Sequence, residues 1–153
     1  MQGGATTQAD PESMVQTLLT SNWTSANTDN KTPKFYISSE PSVSKWLNHE
    51  NLGDVILIYE RNRQNVKNST GSTSKREIYA IALDCRTNIS RSHFLKFIGE
   101  AERVLDAKVL APAAGYDILD PTGTYPLSND TTKGFWRAVI EFKVHKSTVT
   151  RNA

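Results

Sequence analysis

The alternation of apolar and polar positions divides the chain into a small number of elements. Two nearly continuous apolar runs, DVILIYE from Asp54 and EIYAIALD from Glu77, have the pattern of strands covered on both faces. FWRAVIEFKV, from Phe135, alternates regularly. Trp136, Ala138, Ile140, Phe142 and Val144 share one face, and Arg137, Glu141 and Lys143 the other. PKFYIS is a shorter strand, with Phe35 and Ile37 set against Lys34 and Tyr36. Helical spacing occurs twice. Met14, Val15, Leu18 and Leu19, with Trp23 one turn on, follow Asp10-Pro11-Glu12, which supplies an acidic cap, a proline at the first helical position and an acid facing the helix dipole. Phe94, Ile98, Ala101 and Leu105 make one apolar stripe in CRTNISRSHFLKFIGEAERVLDAK, with Ser90 or Ser92 as its cap. The opposite face carries Lys96, Glu100, Glu102, Arg103 and Asp106. There Lys96–Glu100 is an i,i+4 pair of opposite charge and Glu102–Asp106 one of like charge.

The segments between these elements are polar. SANTDNKTP is turn chemistry and ends the first helix. EPSVSKWLNHENLGD predicts a short helical turn through Val43, Trp46 and Leu47, closed by Gly53. VLAPAAGYDILDPTGTYPLSNDTTKG, punctuated by Pro, Gly and Asp, reads as a long irregular connection. The predicted order is helix, three strands, helix, strand. That is a two-layer α+β domain: a mostly antiparallel four-stranded sheet covered by two helices, with a long basic β-hairpin arm. The domain is expected over residues 10–146, between a disordered start at residues 1–9 and a loose basic tail at 147–153. Trp23 and Trp46 are core candidates that an interface can equally use.

The arm is ERNRQNVKNSTGSTSKR, residues 60–76, which separates the two buried strands. After Glu60 it holds Arg61, Arg63, Lys67, Lys75 and Arg76, no acid, and Val66 as its one large apolar residue. The whole chain of 153 residues has a net charge of only +2, too mild for a dedicated DNA-binding protein, so the arm concentrates the excess. Two readings stay open. The arm binds an anion as a bare Lys- and Arg-rich loop, or it is a hairpin loop whose charges keep it solvated.

Catalytic signatures are missing. The single cysteine, Cys85, excludes an internal disulfide and a multi-cysteine zinc site, and at the end of an apolar run it reads as a small buried hydrophobe. His49, His93 and His145 stand in unrelated contexts without metal-pair spacing, so each is expected to be a satisfied or solvated histidine. TGSTSK lacks the second glycine of a phosphate-binding loop and leads into a strand. Asp117, Asp120 and Asp130 do not follow the calcium-loop pattern and read as turn formers. Five Asn-x-Ser/Thr triplets accompany an N-terminus without a signal-peptide pattern and match chance in so Ser- and Thr-rich a chain. No apolar run approaches the roughly 20 residues of a membrane helix. The chain is therefore expected to be a non-enzyme without cofactor or metal, made in a reducing cytoplasm. Phe35, Tyr36, Trp136 and Phe142 lie on strands near Lys and Arg, and with the arm they support an alternative, a small nucleic-acid-binding module.

From Asp10 to about Lys146 the layout resembles the tail-terminator or tail-completion (head–tail connector) proteins of tailed viruses. DPESMVQTLLTSNW matches the leading helix, DVILIY and EIYAIALD the hairpin with its projecting arm, SRSHFLKFIGEAERVL the sheet-covering helix and FWRAVIEFKV the last strand. The resemblance rests on element order. It implies a virion structural protein whose subunits close into a ring, in that family often a hexamer, joining the tail tube to the head connector. It also implies that Arg61, Arg63, Lys67, Lys75 and Arg76 contact a neighbouring subunit or DNA passing through the ring.

Overall fold

The computed structural model describes residues 9–38, 53–67, 74–130 and 135–149. The expected helical turn at Val43, Trp46 and Leu47, and His49, lie outside these residues. In chain order the elements are α1 (Pro11–Asn22), a 3-10 turn (Ser25–Thr28), β1 (Lys34–Ile37), β2 (Asp54–Lys67), β3 (Ser74–Thr87), α2 (Arg91–Ala107), β4 (Leu110–Ala113), β5 (Tyr116–Asp130) and β6 (Phe135–Val149). The α+β class stands, with two α-helices among the described residues, but the sheet has six strands in the order β1-β2-β3-β6-β5-β4. β1 runs parallel to β2 and every other pairing is antiparallel.

Both helices start where the sequence places them. The Asp10 carboxylate accepts the Ser13 N–H at 3.1 Å, with Pro11 at the first helical position. Ser90, not Ser92, caps α2, accepting the His93 N–H at 3.1 Å. Val15, Leu18 and Leu19 of α1 and Phe94, Phe97, Ile98, Ala101, Val104 and Leu105 of α2 pack on one face of the sheet. That face consists of Ile56 and Ile58, Tyr79 to Cys85 at alternate positions, Leu119, and Ala138, Ile140, Phe142 and Val144. The alternation predicted for the last strand is therefore the core register. Trp23 caps α1 and is partly buried, its ring edge-on to Phe35 at 5.5 Å and to Phe97 at 5.9 Å.

The segment expected to be an irregular connection forms β4 and β5. Gly115 (φ 84) makes the turn between them, and Ala113 pairs with Tyr116 across it. Pro121 and Pro126 hid the strand, because proline removes a ladder donor and is excluded from central strands. β5 tolerates them because it lies near the sheet edge, with β4 beside it only at Leu110–Ala113. The register against β6 shifts between Pro121 and Gly123 and again between Leu127 and Asp130, which absorbs the misfit.

β2 and β3 continue well past the body of the domain, so the arm is paired strand through Lys67 and from Ser74 onward. Its root is a bulge between Glu60 and Asn62, the device that bends a strand and sharpens its twist. β6 accompanies β3 to the pair Ser74–Val149, which makes the arm three-stranded. Residues 147–149, expected in a loose tail, are its third strand, and the Ser147 N–H is held by Asp117 Oδ2 at 2.8 Å.

Phe97 is fully buried at the crossing of α1, α2 and β1. Phe97→Ala is expected to cost about 3–5 kcal/mol of unfolding free energy in chemical denaturation, the usual range for emptying an aromatic site in a packed core.

Candidate functional site

The arm brings the five sequence-marked basic residues into one region, and most are engaged inside the molecule. Arg61 is ion-paired with Glu141, two strands away. Arg63 grips Glu60 through Nε and a terminal nitrogen, each at 2.7 Å, and lies 4.9 Å above the Tyr79 ring. Those two hydrogen bonds raise the Arg63 pKa further above its ordinary value. Lys75 pairs with Glu77 at 3.5 Å. The Tyr79 hydroxyl donates to Glu77, and burial with that bond pushes its pKa well up. Tyr116 stands edge-on to Tyr79 at 6.4 Å and lies 5.6 Å below Lys146. This alternation of ring and ion pair joins all three arm strands to the body. Arg76 is exposed and has no ion pair among the described residues. The Lys67 side chain is outside them. Over its described part the arm is a braced extension rather than a loop kept solvated by its charges.

Three of the four aromatics proposed for stacking nucleic-acid bases serve the core instead. Phe142 is buried, and Phe35 and Trp136 pack against the core cluster. Tyr36 is half-buried. The face away from the helices carries a polar knot, in which Arg86 and Arg137 each hold both oxygens of the buried Asp84 at 2.9–3.2 Å.

A second constellation spans the helix–sheet boundary. Part of the charged helix face opposite the apolar stripe is a clamp on the turn between α1 and β1. His93 is buried, with Nδ1 at 2.8 Å from Asp29 and Nε2 at 2.6 Å from Asp54. Asp54 also accepts the Thr87 hydroxyl at 2.6 Å. Lys96 reaches Asp29 at 2.8 Å rather than the expected Glu100. Glu100, also buried, accepts the Thr24 N–H at 2.7 Å, the Asn27 amide at 2.8 Å and the Arg103 guanidinium at 2.6 Å. Arg103 in turn donates to the Asn22 carbonyl at 2.9 Å. One helix stripe, 93-96-100-103, thereby fixes the chain from the end of α1 to the positive-φ pair Asp29–Asn30. Sequence spacing does not reveal it, because His93 is 64 and 39 positions from its two carboxylates.

The remaining candidates do not converge. Cys85 is fully buried, and desolvation drives its thiol pKa up, the condition of an inert cysteine. His145 is half-buried with its Nδ1 unpartnered, and burial and then Arg76 lower its pKa. Among the described residues no three His, Cys, Asp or Glu side chains gather as a metal site, and no helix is long and apolar enough to cross a membrane.

By sequence, the chain matches no family model and no curated protein. By structure it is similar to a chain of the "Virion of native gene transfer agent (GTA) particle", with a TM-score of 0.65 and 10% identity. The similarity covers 90% of this chain and 94% of that one, so the fold is shared nearly end to end.

The clamp makes two pH predictions. With both ring nitrogens facing carboxylates, the His93 bridge is complete only when the ring is protonated. Burial opposes that charge, but the hydrogen bonds to Asp29 and Asp54 outweigh it and raise the His93 pKa. The bridge is then at full strength below the unfolded pKa of about 6.5 and is lost as pH rises through the higher folded value. Unfolding midpoints of the wild type should fall across that alkaline window and those of His93→Gln should stay level there; parallel profiles would refute the bridge. For Glu100, burial raises the pKa but Arg103, the Thr24 N–H and Asn27 outweigh it, bringing it to about 2. Its stabilisation should therefore disappear as pH falls from about 4.5 towards 2, and Glu100→Ala should cost on the order of 2 kcal/mol at neutral pH.

Proposed function

We propose that the chain is a non-enzymatic virion assembly protein, the subunit of a homo-oligomeric ring that terminates or completes a viral tail and joins it to the head connector. The observation that carries this reading is the arm. A three-stranded extension, tied to the core through Tyr79 and Tyr116 and braced by ion pairs, continues past the last core residues of its strands. Such a feature costs chain entropy on folding, and a partner surface accounts for it better than self-packing does. The nearly end-to-end fold likeness to a chain of a gene transfer agent virion supports the same class.

In this reading the mechanism is geometric. The arm and sheet edges join neighbours, and the closed ring caps the tube and offers a docking face, with DNA passing through its opening. Tail-tube and head-connector proteins are its partners, and the virion is its location. The nucleic-acid module is the weaker reading, since three of its four stacking aromatics, Phe35, Trp136 and Phe142, are in or against the core.

Light scattering of the purified protein across concentration and salt tests this. A discrete species several times the 17.0 kDa subunit mass is expected. A strict monomer throughout, binding single-stranded nucleic acid with a steep salt dependence, would overturn it.

A further inference from the structure

Of the arm's basic side chains, Arg61, Arg63 and Lys75 are held by Glu141, Glu60 and Glu77, and the Lys67 side chain lies outside the described residues. Arg76 is exposed, close enough to Asp117 to act on its charge but with no ion pair among the described residues. Arg76 sits directly opposite Val66 in the β2–β3 register. Val66 is 45% exposed, one of the few large apolar side chains so placed. Both lie on the face turned away from Tyr79 and the helices, because they alternate with Lys75 and Glu77 on one strand and with Asn65 on the other. The arm therefore presents one apolar and one cationic side chain side by side.

The domain carries a cleft of matching chemistry. About 280 Å³ opens between the last turns of α2 and β5, with Leu105 and Ile140, both buried, as its floor. Glu102 and Asp106 stand at its mouth, and Pro121 to Thr124 form the far wall. Among the described residues Glu102 accepts the Thr124 hydroxyl, at 2.8 Å, and forms no ion pair, and neither does Asp106. Two carboxylates one helical turn apart repel each other, so a cation between them is favoured. The apolar floor below suits an aliphatic knob.

Arm and cleft cannot meet within one molecule. β6 lies between β3 and β5 and pairs with β3 along the arm to Val149, which keeps the arm in the sheet and its Val66–Arg76 corner on the face opposite the helices and the cleft. Donor and acceptor on opposite sides of a subunit are the requirement of a head-to-tail contact, which repeats around a ring. We propose that the Val66–Arg76 corner of the arm docks in the α2–β5 cleft of a second copy of the chain. Val66 covers Leu105 and Ile140, and Arg76 lies between Glu102 and Asp106. This rests on the ring reading above and names the contact that closes it.

Charge reversal on each side, and on both, tests the contact. Arg76→Glu and the double variant Glu102→Lys/Asp106→Lys should each raise the concentration needed for assembly by about tenfold or more, and the combination should recover most of that loss. Val66→Ser should weaken assembly without altering its salt dependence. Circular dichroism confirms that each variant is folded, and DNA retention is measured in parallel. If the wild type assembles and the reversals leave assembly unchanged, or affect only DNA retention, the contact is wrong and the ring reading survives. If both reversals weaken assembly but the combination restores nothing, the pairing of these two surfaces is likewise overturned. A wild type that stays monomeric at every concentration removes the ring reading, and the contact with it.

Discussion

The pairing of β3 with β6 is the constraint on which the rest of the structure hangs. It runs from Ser74–Val149 to Thr87–Trp136 with no break in register. Within the body it sets Ile81, Leu83 and Cys85 beside Phe142, Ile140 and Ala138, the floor on which both helices rest. Beyond the body the same ladder continues as the spine of the arm. Core and projection are therefore not separable modules, because any slip between these two strands would turn the core residues outward and misplace the arm at once.

The helices are fixed to that floor by two kinds of force. Apolar burial is non-directional and supplies most of the driving force, but it does not define where the α1–β1 turn should sit. The polar stripe of α2 does. His93, Lys96, Glu100 and Arg103 each take specific partners in that turn or at its borders, and two of the four are buried. A buried charge without its partners is costly, so the turn has one position in which all of them are satisfied.

Much of this was legible along the chain. Both helices, the β2–β3 hairpin and β6 followed from periodicity and capping alone, because local spacing encodes which side chains share a face. β4 and β5 did not, since Pro121, Gly123 and Pro126 break the alternation, and an edge strand can absorb breaks that a central strand cannot. The i,i+4 pairing expected of Lys96 and Glu100 failed for a different reason. Burial of a carboxylate depends on donors from Thr24 and Asn27, more than seventy residues away, which no window on the helix contains. Of the arm's ion pairs, Arg61–Glu141 depends on the order of strands in the sheet, whereas Arg63–Glu60 and Lys75–Glu77 each join residues of one strand.

The bulge at the root of the arm is also a change of parity. Before it, the even-numbered residues Ile56 and Ile58 of β2 face the helices; after it, the odd-numbered Arg63 does, above Tyr79. Val66 shares its numbering with the core positions, yet it emerges on the far side of the sheet next to Arg76. One inserted residue thus works as a phase inverter. It converts what would be the continuation of an interior pattern into an exterior one, without altering a single side chain downstream.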